Sequence, residues 1–415
     1  MRTPSLPLLS VAACAAPVLA QQPAFTTPGM AQTPMMTRPA AAPEGQATGT
    51  SSGQSDRFDS VFNPAFSFIV DAVADSLHTD GDAVQDGVKL EMRVLEIGAQ
   101  AWVDPDAWAY FIGATDGDTL AVEEAAVHYK GLGGNTTIRA GRFFIDFGKQ
   151  MQTHVHELRT LERPLVLRTY LGEEVKGDGL EYDGWTGVGD ATAVRWSIGA
   201  FASLIPESEL EDGVPVVSVA DRKDAGDLNF TARLTAFTDV GTNGLFQAGV
   251  SGRFIPDATA ELNGSETTGL ESSVYGLDVT YGWTSDDAQR TFTTGGEFLL
   301  DTGDTVALID DAGTPDPTDD TLTGFDTRSQ AGWYAFVDWA WNQKHSVGVQ
   351  YSTVELGPDT DAAELEVYYT RLFSEFHRIR LVASSYDTDV DEGDALRFAI
   401  QYTVTVGAHG HGLNW

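Results

Sequence analysis

About sixteen runs of alternating apolar and polar residues, most of them nine to twelve residues long, dominate this chain between residues 64 and 406. Alternation with period two is the signature of a strand with two unlike faces. The clearest case is "ALRFAIQYTVTV" at 395–406. Leu396, Phe398, Ile400, Tyr402, Val404 and Val406 share one face, while Arg397, Gln401, Thr403 and Thr405 share the other. Nine to twelve residues suit a tilted strand crossing a bilayer. Strands of soluble proteins are typically shorter, about five or six residues.

The connections between runs separate a membrane barrel from a soluble β-protein. Long ones at 74–87, 145–177, 205–227, 255–272 and 302–329 alternate with short ones such as 104–106, 131–135, 239–243, 285–289 and 342–343. Long loops on one side and tight turns on the other characterise outer-membrane barrels. An even strand number places both chain ends on the short-turn side, the periplasm. Tyr281, Trp283, Trp333 and Trp341 near strand ends fit aromatic girdles. A soluble sandwich would need a second sheet to cover these faces. The expectation is an all-β, transmembrane antiparallel barrel of about sixteen strands over 58–415, in the bacterial outer membrane with lipid and lipopolysaccharide around it. A mean hydropathy of −0.16 agrees, because only alternate residues meet lipid.

Residues 1–20 read as a signal peptide, with Arg2, an apolar stretch and a small-residue site at Ala20. "VAAC" also resembles a lipoprotein cleavage box, but the apolar run continues past Cys14 to Ala20; a cut there removes Cys14, the single cysteine, and with it any disulfide or thiolate chemistry. Residues 21–57, rich in Pro, Ala, Thr, Gln, Ser and Gly, read as a disordered periplasmic lead. No run of 18 apolar residues follows, so no transmembrane helix is expected. With 25 basic and 61 acidic residues, net −36, the chain lacks the basic face that nucleic acid requires. No GxSxG, Walker or HExxH pattern is present, and His128, His345 and His377 have no evident Ser or Asp partner, so neither an enzyme nor a cofactor is expected.

Against the acidic total stands one basic segment, "RAGRFFIDFGKQMQTHVHELRTLERPLVLRTYLGEE" at 139–174. It carries Arg139, Arg142, Lys149, Arg159, Arg163 and Arg168, and residues 139–176 hold seven of the chain's 25 basic residues but five of its 61 acids. It falls on the third long outer loop. That loop is too long to be idle, and Met151, Leu158, Leu161, Leu165, Val166, Leu167, Tyr170 and Leu171 equip it to fold into the lumen and pack on the wall. Arg378, Arg380 and Arg397, on the last two strands, stand as the opposite wall. Cations at a constriction lower the barrier for anions. If they instead pin the loop, acids such as Glu181 or Glu297 would receive them.

"IRAGRFFIDFGKQ" and "ERPLV" resemble the glycine–aromatic–Pro/Asp–Phe–Gly and Glu-Arg pattern of porins of the phosphate-selective O and P type. "RPLVLRTYLGEE" is similar to a related group of uncharacterised porin-like proteins, some named for zinc regulation and TonB-dependent reception. The resemblance covers about forty residues and implies a sixteen-stranded, usually trimeric porin. Two features depart from it: lysines are few, and "GAHGHGLN" separates Trp415, the expected handle for the barrel assembly machinery, from the last clear strand. Residues 21–60 are too short for a receptor plug. The expected function is passive diffusion of small polar or anionic solutes. The alternative is a barrel with a zinc-related binding or uptake role, for which His154, His156, Glu157 and Glu162, or separately His409 and His411, are candidate ligands. The acidic stretch 301–320 lacks EF-hand spacing and reads as a solvated charge run.

Overall fold

The computed structural model describes residues 65–79, 86–117, 119–205, 215–310, 320–357, 360–374, 376–389 and 393–407, with a short piece at 5–7. The cleavage site, the lead at 21–57, His409, His411, Trp415 and residues 311–319 lie outside the described residues.

Sixteen strands form one closed antiparallel barrel. They are β1 (Ala65–Thr79), β2 (Gly87–Asp104), β3 (Ala107–Thr115), β4 (Leu120–Tyr129), β5 (Thr136–Phe144), β6 (Lys176–Val188), β7 (Thr192–Phe201) and β8 (Asn229–Val240). The second half comprises β9 (Gly244–Leu262), β10 (Ser265–Thr284), β11 (Thr291–Asp310), β12 (Thr321–Asn342), β13 (His345–Gly357), β14 (Thr360–Ser374), β15 (His377–Thr388) and β16 (Ala395–Gly407). Each strand pairs with its neighbours in sequence, and β16 closes on β1 in continuous register from Ala395 opposite Thr79 to Gly407 opposite Ser67. Outside the barrel, Ser5–Pro7 lies antiparallel to Val306–Leu308, and Val216–Ser218 to Thr259–Glu261.

The polarity of the wall is inverted relative to a soluble protein. Asp71, Arg93, Glu96, Glu181, Arg253, Glu297, Arg380 and Gln401 are buried inside, while Leu180, Ile198, Leu277, Phe298, Phe398 and Ile400 are exposed outside. Apolar exposure of this extent is stable only against lipid. Trp333 and Trp341, both exposed, are eight residues apart on β12. That is about 26 Å of strand, which tilt reduces toward the height of an outer-membrane apolar band. No helix among the described residues is long and apolar enough to cross a membrane.

Two of the expected long loops are not loops. Pairing of β9 with β10 continues through Ala258–Leu270 to Leu262–Ser265, and β11 with β12 reaches Asp310–Thr321. The expectation at 255–272 and 302–329 is corrected for a physical reason. Ile255, Ala258, Leu262, Leu270, Ile309 and Leu322 form an apolar cluster of their own, with Val217 and Phe325 against it, so the hairpins extend as paired strands.

Candidate functional site

The loop from β5 to β6 leaves and returns at one point, where Ile145 N–H donates to Val175 O at 3.0 Å. Between these residues lie a 3-10 turn, Val155–Glu157, and a short helix α1, Leu165–Leu171. Pro164 precedes α1, where its fixed φ suits a helix start, and Gly172 follows at φ 90°. Met151, Val166, Leu167 and Leu171 are buried, packed with Tyr334, Phe336, Val354 and Ala362 of the wall. Leu158 and Leu161 pack with Val73, Val94, Tyr368 and Val382.

The wall receives the loop through acids. Glu297 on β11 accepts backbone N–H bonds from Lys149 (2.8 Å) and Gln150 (3.1 Å) and the Tyr334 hydroxyl (2.6 Å). This is an anion-binding nest. It forms because Gly148 holds φ 55°, and a Cβ there would collide with the Glu297 carboxylate. Next to it, Asp146 accepts from Arg195 at 2.6 Å and Ser197 at 2.7 Å. Burial raises its proton affinity, but Arg195 and Arg233 more than offset this and hold the carboxyl below its usual range.

The cations singled out from the sequence divide by partner. Arg139 pairs with Glu181 at 2.8 Å. Arg159 pairs with Asp338 and lies over the Phe336 ring, 4.0 Å from its centroid. Arg163, 0% exposed, donates to Gln150 O and Thr153 O at 2.6 and 2.7 Å, clamping the loop to itself. Arg168 bridges Glu364 (2.5 Å) and Glu162 (3.1 Å), and Arg397 joins Glu162 to Asp75. Arg378 and Arg380 donate to loop carbonyls, His156 O at 2.5 Å and Thr160 O at 3.0 Å. Lys149 donates to Gln247 at 3.0 Å. Arg142 is corrected: an odd number of residues from inward Arg139, it falls on the outer face and pairs with Asp178, both well exposed. These contacts reach inward side chains on β2 and β4 and on most strands from β7 to β16, so the loop lies within the barrel.

The histidines also meet the wall. His154 Nε2 is 2.7 Å from Glu124 Oε1, and its Nδ1 is 3.5 Å from Glu123 and 3.7 Å from Glu96. His156 Nδ1 is 2.7 Å from Glu96 Oε1. Burial disfavours the imidazolium of His154, but Glu123 and Glu96 outweigh it and hold its pKa well above the ordinary value. The sequence-based set of His154, His156 and Glu157 is therefore corrected: the ligand atoms gathered with His154 belong to Glu96 and Glu123, and Glu157 is outside the group. Those two acids were passed over because they lie on strands β2 and β4. The one available signal was "EE" at 123–124, which breaks the alternation of β4.

No family model matches the chain. An uncharacterized protein of Aquifex aeolicus (strain VF5) is 27% identical over 340 residues, 77% of this chain and 68% of that protein. The outer membrane channel DcaP of Acinetobacter baumannii matches with TM-score 0.53 at 10% identity, over 83% of this chain and 97% of that one. An anion-selective porin from Comamonas acidovorans matches at 0.52 and 11%, over 83% and 99%. The trimer form of in-vitro folded OmpT of Vibrio cholerae matches at 0.51 and 10%, over 83% and 99%. The shared property is the fold, a closed outer-membrane β-barrel.

Proposed function

We propose that this outer-membrane barrel is a diffusion channel for small polar and anionic solutes, with the loop 145–175 as its constriction. The observation that carries the reading is the loop itself: it is fastened to inward-facing side chains around the barrel and thereby narrows any path along the axis. An anion preference would rest on the loop cations that stay partly accessible. These are Arg159 and Arg168, with side chains 24% and 15% exposed, and half-buried Lys149. At a narrow point, poorly screened charges act more strongly than the many acids facing bulk salt. The DcaP channel and the anion-selective porin are consistent with this reading, as is the glycine–aromatic pattern at 141–148. The OmpT trimer form supports a homotrimer here on the same footing.

Planar-bilayer recording tests the proposal. The wild type is expected to conduct with weak anion preference in asymmetric KCl. Replacing 149–171 by a short Gly-Ser linker should raise single-channel conductance several-fold. An unchanged conductance would remove the loop as constriction, and a folded barrel with no conductance would overturn the channel. Arg159→Ser with Arg168→Ser should move the reversal potential toward cations.

A further inference from the structure

The adjacent residues Glu123 and Glu124 on β4 both point inward, although consecutive residues of a strand normally face opposite ways. A bulge between the pairs Ile112–Glu124 and Gly113–Val122 inserts Glu123 as the extra residue and turns it into the lumen. It arrives beside Glu96 of β2 and His154 of the loop. One ligand atom from each of these three buried residues lies within 4.8 Å of the others.

The spacing is that of a coordination shell. His154 Nδ1 stands 3.5 Å from Glu123 Oε2 and 3.7 Å from Glu96 Oε2. Zinc bonds to nitrogen and oxygen of about 2.0–2.1 Å give a tetrahedral edge of about 3.4 Å, so two of the three edges are nearly in place. Two of the three ligands, His154 and Glu96, are also oriented from behind. Glu124 takes the opposite ring nitrogen of His154 at 2.7 Å, which presents Nδ1 to the two carboxylates. His156 holds the other oxygen of Glu96 at 2.7 Å, and Tyr110 donates to the other oxygen of Glu124 at 2.7 Å. Carboxylate–histidine support of this kind fixes tautomer and ring plane at metal centres.

We infer that Glu96, Glu123 and His154 bind one divalent transition-metal ion, zinc foremost, which ties the loop to strands β2 and β4. Three protein ligands leave the fourth position to water or a passing ligand. Nitrogen with two carboxylate oxygens suits zinc, and fits calcium poorly because calcium takes six to eight oxygens. The inference does not depend on the channel reading, since a sealed barrel would hold the ion equally well.

The test uses the full chain in detergent, stripped with a chelator and dialysed against Zn²⁺ or Co²⁺. One equivalent of zinc should remain bound to the wild type. Glu123→Gln and Glu96→Gln should each lower retention at least tenfold, while Glu157→Gln should retain the full equivalent. Gel mobility before and after boiling reports whether each variant is folded. Should the glutamine variants fail to fold, the wild-type Co²⁺ spectrum decides. An intense ligand-field band of four-coordinate cobalt supports the site, and a weak six-coordinate band or none overturns it. Sub-stoichiometric zinc in the wild type, or equal loss in Glu157→Gln, overturns it as well.

Discussion

Gly148 shows how one residue sets the position of a whole loop. Its φ of 55° turns the N–H groups of Lys149 and Gln150 onto Glu297. Left-handed backbone costs a residue with a Cβ roughly 1–2 kcal/mol, and here the added atom would also meet the carboxylate. Gly148→Ala is expected to release this end of the loop while leaving the barrel closed. The expected readout is faster proteolysis within 149–171 with unchanged boiling-dependent gel mobility. Lys149 and Glu173 carry a second expectation. Burial, with Arg159 and Arg233 nearby, lowers the Lys149 amine to about 8. Burial and Glu162 raise the Glu173 carboxyl to about 8. As pH rises from 7 to 9 the first loses a positive charge and the second gains a negative one. Both changes act in the same direction, so the conduction proposed above should become more cation-preferring with a midpoint near 8. The Lys149→Gln, Glu173→Gln double variant should flatten that profile. Their effects on folding oppose each other. The Lys149 contribution to stability rises between about 8 and its unfolded value of 10.5, because the unfolded state binds more protons there. The Glu173 contribution falls between 4.5 and about 8.

At the scale of elements, legibility followed the reach of each interaction. Strands such as β16 were plain in the sequence because alternation is local: the residues facing lipid and lumen are neighbours in the chain. The address of the basic loop was equally plain. The partners of its arginines were not, since Asp338 and Glu364 lie far along the chain from Arg159 and Arg168. Glu297, one of the acids expected to receive the arginines, accepts backbone N–H groups and the Tyr334 hydroxyl instead. The hairpins at 255–272 and 302–329 differ from the expected loops because turn-forming residues there obscure strands that go on pairing. Glu123 escaped for the opposite reason: its pointing inward depends on a bulge, a property of two strands together. The arginines also matter as a set. Arg159, Arg168 and Arg397 join loop acids and bases to wall acids and bases, and Arg378 and Arg380 seize loop carbonyls, so the loop is fastened at many points. Charge-assisted bonds of this kind are each worth about 1.5–3 kcal/mol when buried.

For the molecule as a whole, closure is the governing property. A barrel whose every strand is paired has no edge from which detergent can begin to unravel it. Unboiled protein is therefore expected to migrate differently from boiled protein in dodecyl sulfate gels, and identical migration would contradict a closed wall. The seam between β1 and β16 has a further consequence for biogenesis. Residues 67 and 407, opposite each other in the wall, lie at opposite ends of the described barrel sequence. Contacts of such separation form late, after the intervening chain has been arranged. Until the last strand arrives, the growing sheet is an open ribbon with two sticky margins in a membrane that tolerates none. Any agent that escorts this chain must therefore shield the margin of its earliest strand for the entire journey, and let go only when the latest one has come to take its place.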